Sequence, residues 1–259
     1  LKFCILIAIT VGKFMYRRAF IKHTALGFIT ASGIIAWSCK NLPVTTPLID
    51  RLIQSLDEQI PELLSSRIKD PTDPHFGGIP DAFQIYHAGS AAGLIQTLTT
   101  AYVSPLSKFF HDPALQQAMM EAIDFLLRYQ HPDGSIDLLT TNFQSTPDTG
   151  FVVEPLSISY KLLALDLHGS HEMLRTRMKS FLTLAGEALT IGGIHTPNHR
   201  WVVCMALARL YDLFPDPRYQ ARINTWLAEG IDIDEDGQYT ERSSSVYSPL
   251  TDRCLITIA

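Results

Sequence analysis

The sequence predicts an all-α protein made of helical hairpins, and three observations carry the prediction. Apolar residues recur at helical spacing through most of the chain beyond residue 47, and strand-type alternation is nearly absent. The periodic segments open at Pro, Ser, Asp or Thr, and several close at Gly, the usual asymmetry of helix starts and stops. With 259 residues, 46% of them hydrophobic, the chain can bury one large core or two small ones.

In chain order, residues 47–68 place Leu48, Leu52, Ile53, Leu56, Ile60, Leu63 and Leu64 at helical spacing, with Pro61 implying a kink. A Pro/Gly loop over 69–81 (KDPTDPHFGGIPD) leads to helices over 90–103 and 113–129, followed by a turn at His131-Pro132-Asp133-Gly134-Ser135. Four more helices are expected over 154–167, 171–189, 198–213 and 216–229. Residues 251–259 read as the beginning of an amphipathic helix without a cap, so the chain is expected to run on past Ala259. No fixed repeat of the tetratricopeptide or HEAT type is found, which counts against an open solenoid. Loops and helix starts hold much of the Gly, Asp and His, as expected where loop ends line a cleft, and this favours an α/α toroid.

Residues 1–39 read as an upstream leader and export signal, with Met15 the expected start and 40–259 the mature domain. Arg17-Arg18-Ala19-Phe20-Ile21-Lys22 before an apolar run resembles a twin-arginine signal peptide. The run is broken by Gly27, Ser32 and Gly33 and is short of a membrane span, so a signal peptide is preferred to an anchor. It ends at Ala36-Trp37-Ser38-Cys39, which resembles a bacterial lipobox and allows membrane attachment through a lipidated Cys39. The expected location is the periplasm or, as a lipoprotein, the outer membrane of a bacterium.

Lys and Arg number 21 against 26 Asp and Glu, a net charge of −5, so no basic field exists to hold nucleic acid. Cys4, Cys39, Cys204 and Cys254 form no C-x-x-C pair and are too few for a disulfide scaffold. Cys204 lies in an apolar helical run and reads most simply as a buried thiol, pairing with Cys254 being the alternative.

The densest polar cluster is Gly193-Ile194-His195-Thr196-Pro197-Asn198-His199-Arg200-Trp201. With Thr196 as N-cap and Pro197 at the first helical position, Asn198, His199 and Arg200 share a first turn whose free N–H groups and dipole favour an anion. Simple capping is the other reading of these residues. A second cluster, residues 231–249, contains Tyr239, Arg242 and Tyr247, a supply of phenols for proton transfer and a guanidinium fork for a carboxylate. Smaller clusters at 75–81, 86–90 and 148–154 put His87, Asp148 and Glu154 near aromatics at loop-to-helix junctions, a combination suited to sugars. Asp232, Asp234 and Asp236 before Gly237 match the opening of an EF-hand, but Ser243 stands at the twelfth position in place of Glu. No H-E-x-x-H is present, and His195 and His199 straddle a helix start, so neither a metal nor a cofactor is expected. G-x-S-x-G, P-loop and Rossmann fingerprints are absent.

Asn198-His199 at a helix start, followed by Asp236-Gly237-Gln238-Tyr239-Thr240-Glu241-Arg242-Ser243 and Ser245-Val246-Tyr247, resembles the α/α-toroid polysaccharide lyases of the heparinase II/III and alginate-lyase type. The resemblance spans the mature chain and is best from Pro147 onward. It implies cleavage of a uronic-acid polysaccharide by β-elimination, in a catalytic domain over 40–259 that is an incomplete toroid truncated at its C-terminus. The β-sandwich that usually follows such a toroid is missing here. Asn198 and His199 match the pair that neutralises the uronate carboxylate and assists proton removal. Tyr247 best matches the acid/base tyrosine, with Tyr239 its rival. Arg200, Trp201, Arg242, His87 and Glu154 are the expected substrate contacts, although Arg200-Trp201 stands where the family often has small residues. The mechanism suits these residue types: fixed donors stabilise the enolate-like charge, and a phenol with its pKa lowered by a neighbouring cation moves the proton without a metal. Two alternatives remain. One is a six-hairpin glycoside hydrolase using Asp148 with Glu154, or Asp236 with Glu241; the other is a non-catalytic exported glycan-binding lipoprotein.

Overall fold

A computed structural model describes residues 47–259; the expected start at Met15, the twin-arginine-like segment and Cys39 lie outside the described residues. Residues Ile53–Ala259 form one compact unit, which does not include Pro47–Leu52. The elements in order are α1 (Pro47–Ser66), α2 (Ala88–Val103), α3 (Pro113–Tyr129), β1 (Ile136–Leu138), β2 (Asn142–Ser145), α4 (Thr146–Leu165), α5 (Glu172–Ile191), α6 (Pro197–Leu213), α7 (Pro217–Leu227) and α8 (Tyr247–Ile258). Among the described residues the fold is all-α apart from one short hairpin. Among the described residues no helix is long and apolar enough to cross a membrane.

Burial sorts the helices into two layers. In α3 the buried residues are Leu115, Ala118, Met119, Ala122, Ile123, Phe125 and Leu126, a single stripe at helical spacing. Helix α5 buries Leu174, Met178, Phe181, Leu182, Ala185 and Leu189 in the same way, and α7 buries Tyr219, Ile223 and Trp226. These are outer helices with one face in water. By contrast, α6 buries every residue from Arg200 to Leu207, and α2 is buried around most of its circumference. Such helices must be covered on several sides, and they are: α2 packs on α4, α4 on α6 and α6 on α8, while α3, α5 and α7 cover the row from outside. Small residues permit the close approach; a Cβ built at Gly150 of α4 would lie 3.0 Å from Val202 Cγ1 of α6.

Helices two apart run parallel: α4 meets α6 near both starts, at Gly150 and Val202, and again further along, at Glu154 and Arg209, while the C-terminal ends of α2 and α4 come together where Tyr102 packs on His111 and His111 bonds Asp166. The N-terminal ends of α2, α4, α6 and α8 therefore share one rim of the layer and their C-terminal ends the other.

Most element ends agree with the sequence expectation, and the departures have local causes. Helix α4 starts at Thr146, not near 154, because Ser145 accepts from the Asp148 N–H as N-cap and Pro147 fits the first turn. Pro155 sits within the helix. The unforeseen hairpin pairs Ile136 with Ser145 and Leu138 with Asn142, and Asp137 Oδ1 accepts from the Gln144 N–H at 2.6 Å. Helix α8 begins four residues before Thr251, which makes Tyr247 its first residue. Cys204 and Cys254 are free, buried thiols, each pushed up to about 12 by burial.

The turn after α3 requires its glycine. Gly134 has φ +92°, and a Cβ there would lie 1.9 Å from the Leu184 carbonyl oxygen of α5. Gly77, at φ +83°, meets the Glu121 carbonyl of α3 similarly, at 2.1 Å. Gly134→Ala is expected to lower stability by about 2–4 kcal/mol, the sum of left-handed strain and overpacking. Gly93→Ala, in α2 with nothing near the new methyl, is expected to be neutral or stabilising by up to about 1 kcal/mol. Urea midpoints of the two variants measure both.

Candidate functional site

Of the sequence-derived candidates, His87, Asn198, His199 and Tyr247 stand at the N-terminal ends of α2, α6 and α8, and their roles diverge. Thr196 holds the N-cap position of α6 as expected but makes no side-chain cap bond. The cap comes from Glu241: one oxygen accepts from the Asn198 N–H at 2.7 Å and the other from Asn198 Nδ2 at 2.8 Å. A carboxylate at a helix start is favoured by the free N–H groups and the dipole, so the anion expected there is supplied by the protein. Asn198 is consequently buried and its amide N–H committed.

Arg200 points inward. It is 3% exposed, ion-pairs with Glu229 and Asp232, donates to the Gly230 carbonyl at 3.3 Å and stacks 4.7 Å from the Trp201 ring centre. Burying a guanidinium without anions would be costly, and Glu229 and Asp232 supply them. Trp201 is fully buried core and presents no face to a ligand. Neither residue is placed to touch substrate, because the space against α7 and residues 228–246 fills with protein.

Residues 228–246 are fastened further along. Arg242, largely exposed, donates to Asp234 at 2.6 Å, and Asp234 also accepts from the Gln238 N–H at 2.9 Å. Tyr239 donates its phenol to Asp252 of α8 at 2.7 Å. Burial first, and then Asp252, push the Tyr239 phenol up to about 12, opposite to the lowering expected of a catalytic tyrosine. Asp232 and Asp234 are thus spent on Arg200, Arg242 and a turn, which accounts for the EF-hand-like spacing without calcium. The His195 hydrogen bond, followed by Arg200, holds Glu229 below the usual carboxylate range.

Three candidates remain open. Tyr247, the first residue of α8, is 42% exposed and makes no side-chain hydrogen bond among the described residues. His199 is half-buried, and its Nδ1 is buried without a partner. His87 stands at the N-cap position of α2 without capping it; its Nε2 lies 3.4 Å from Asp81, and its Nδ1 is buried and unpaired. Glu154, deeper in α4, is buried between Arg209 of α6 at 3.9 Å and Arg253 of α8 at 3.3 Å. Of the acids weighed for a hydrolase, Glu154 and Glu241 are tied to protein groups, and Asp148 accepts from Ser145.

The structure adds a feature that the sequence reading missed. Phe83, before α2, and Phe143, before α4, are 82% and 74% exposed, and each is followed by a glutamine in the left-handed region, Gln84 at φ 62° and Gln144 at φ 48°. Non-glycine residues seldom adopt this conformation, so the same device is used twice to turn a phenylalanine outward. The only sequence signal was an isolated Phe-Gln pair in polar surroundings ahead of a helix start. A His/Asp cluster at the opposite rim was likewise unforeseen.

Comparison with protein-family models, curated proteins and solved structures returns no match for this chain.

Two outcomes follow from the clamp. Glu241→Ala, which leaves the Asn198 N–H and amide unsatisfied, is expected to cost about 1–3 kcal/mol and to speed amide exchange at the start of α6. In an alkaline ultraviolet titration, one phenolate signal is expected near pH 12 in the parent and not in Tyr239→Phe.

Proposed function

We propose that this chain is the helical part of a polysaccharide lyase that acts on a uronic-acid-containing glycan laid along the rim of α2, α4, α6 and α8. The carrying observation is the pair of outward-turned rings, Phe83 and Phe143, beside the positive ends of parallel helices. Aromatic faces suit sugar rings, and helix starts suit the carboxylates of an acidic glycan. Helices packed at 8–10 Å make the rim about 25–30 Å long, enough for several sugar units. In this reading the row of alternating helices is an arc of an α/α toroid, completed and followed by a β-sandwich in a longer exported protein.

Tyr247 and His199 carry the chemistry, since Tyr239 is bonded to Asp252 and Arg200 is buried among acids. His199 takes the C5 proton as base; the C5–H electron pair becomes the C4–C5 double bond as the C4–O bond breaks. Tyr247 gives its phenolic proton to the departing glycosidic oxygen and recovers one from His199 through water. The starts of α2 and α8, which have no side-chain cap, and His87 are the groups available to offset the carboxylate and enolate charge. Arg242 is close enough to the surface to contribute once released from Asp234.

One observation favours the second reading, a glycan-binding protein without turnover: the Asn198 amide N–H and Arg200 are already committed within the protein. Incubation with alginate, heparan, hyaluronan and pectic chains distinguishes them through the ultraviolet absorbance of unsaturated uronate ends. The lyase reading expects a rise on one polymer, reduced at least about 100-fold by His199→Ala and by Tyr247→Phe, as for loss of general acid–base catalysis. New reducing ends without absorbance would move the protein to the hydrolases, and binding without either signal would establish the second reading.

A further inference from the structure

We propose that His111, Asp166 and His171 form a transition-metal site, best suited to zinc, at the rim opposite the glycan site. The three come from separate places. His111 closes the connection between α2 and α3, Asp166 caps the C-terminal end of α4, and His171 precedes α5. His111 Nε2 lies 2.7 Å and His171 Nε2 2.8 Å from the same oxygen, Asp166 Oδ2. All three ligand atoms lie within 4.8 Å of one another.

The surroundings hold the side chains in this arrangement. His111 has φ 53°, a left-handed backbone that a non-glycine residue adopts at some cost, and its N–H donates to the Tyr102 carbonyl at 2.9 Å. Phe110 stacks on the His111 ring at 3.9 Å, and Tyr102 lies 5.2 Å from His111 and 5.4 Å from His171. Behind His171 stands Gly169, where a Cβ would lie 1.8 Å from the imidazole Cε1. The Asp166 and His171 side chains are 6% and 2% exposed, whereas that of His111 is 25% exposed, which leaves one side open to water or another ligand.

Two imidazoles and one carboxylate are the donor set of zinc and related ions, whereas calcium and magnesium prefer oxygen alone. Zinc–imidazole bonds of 2.0–2.1 Å put neighbouring ligand atoms about 3.3 Å apart in a tetrahedral site. The imidazole-to-carboxylate distances would therefore open by about half an ångström, within the reach of side-chain rotation. The carboxylate is held in place on its other oxygen, where Asp166 Oδ1 accepts from the His168 N–H at 3.1 Å while Oδ2 faces the two imidazoles. The bound ion would fasten the α2–α3 connection to the α4–α5 turn and so clip two hairpins together.

The test is zinc titration of chelator-treated protein by calorimetry near neutral pH, with cobalt as a visible-spectrum probe of coordination. One equivalent of zinc is expected to bind and raise the melting temperature, and cobalt is expected to give an intense four- or five-coordinate spectrum. His111→Ala and His171→Ala are each expected to weaken binding at least about 10- to 100-fold, the range lost even when outer partners are removed. His111 is on a partly exposed connection, so its variant keeps the test decisive if His171→Ala does not fold. No binding at micromolar zinc, or binding unaltered in His111→Ala, would overturn the site.

Discussion

The constraint on which the molecule depends is that helices two apart in the chain lie side by side and run the same way. It arises from the burial pattern. Helices α2, α4 and α6 are apolar on too many sides to sit at a surface, so they form a row, and the one-sided helices α3, α5 and α7 cover it. Parallel direction within the row then separates chemistry into two ends. Helix starts, outward-turned aromatics, His199 and Tyr247 collect at one rim; Asp166, at the end of α4, collects with His111 and His171 at the other.

At the first rim, the protein uses much of its polar material to hold itself together. Residues 228–246 form a long connection with few apolar side chains facing inward, and a loop of that kind needs polar anchors to keep one conformation. It has them in Glu241 on Asn198, in Glu229 and Asp232 on Arg200, and in Tyr239 on Asp252. The buried Arg200 is the most demanding of these, because a guanidinium at 3% exposure persists only with its anions in place. Groups that look like a ligand site in one dimension are therefore partly each other's ligands. Among the described residues, side chains that remain available to an outside molecule at this rim include Phe83, Phe143, His87, His199 and Tyr247.

Much of the fold was legible because its signal is local. Pro113, Pro197 and Pro217 mark helix starts, and apolar spacing marks α3 and α5. The start of α4 was displaced because its signals, Ser145 as cap and Pro147 in the first turn, follow directly on a strand that was not foreseen. The site was legible only as a neighbourhood. Composition gathers Asn198, His199 and Arg200 in one turn, but nothing local says that Glu241, over forty residues later, will cap that turn, or that Arg200 will face inward. The His111, Asp166 and His171 cluster was invisible for the same reason: it joins two loops through the packing of two hairpins. The outward turn of Phe83 and Phe143 depends on the left-handed glutamine beside each, a backbone state that glutamine does not advertise.

In the proposed function, an acidic glycan lies along the rim of helix starts beside Phe83 and Phe143. Amide hydrogen exchange, with and without a saturating oligouronate, tests it most directly. A glycan bound there adds protection over residues 81–90, 142–149 and 195–201, and none over 104–112 or 166–172. Protection confined to the second set, or absent everywhere across the panel of uronates, would contradict it.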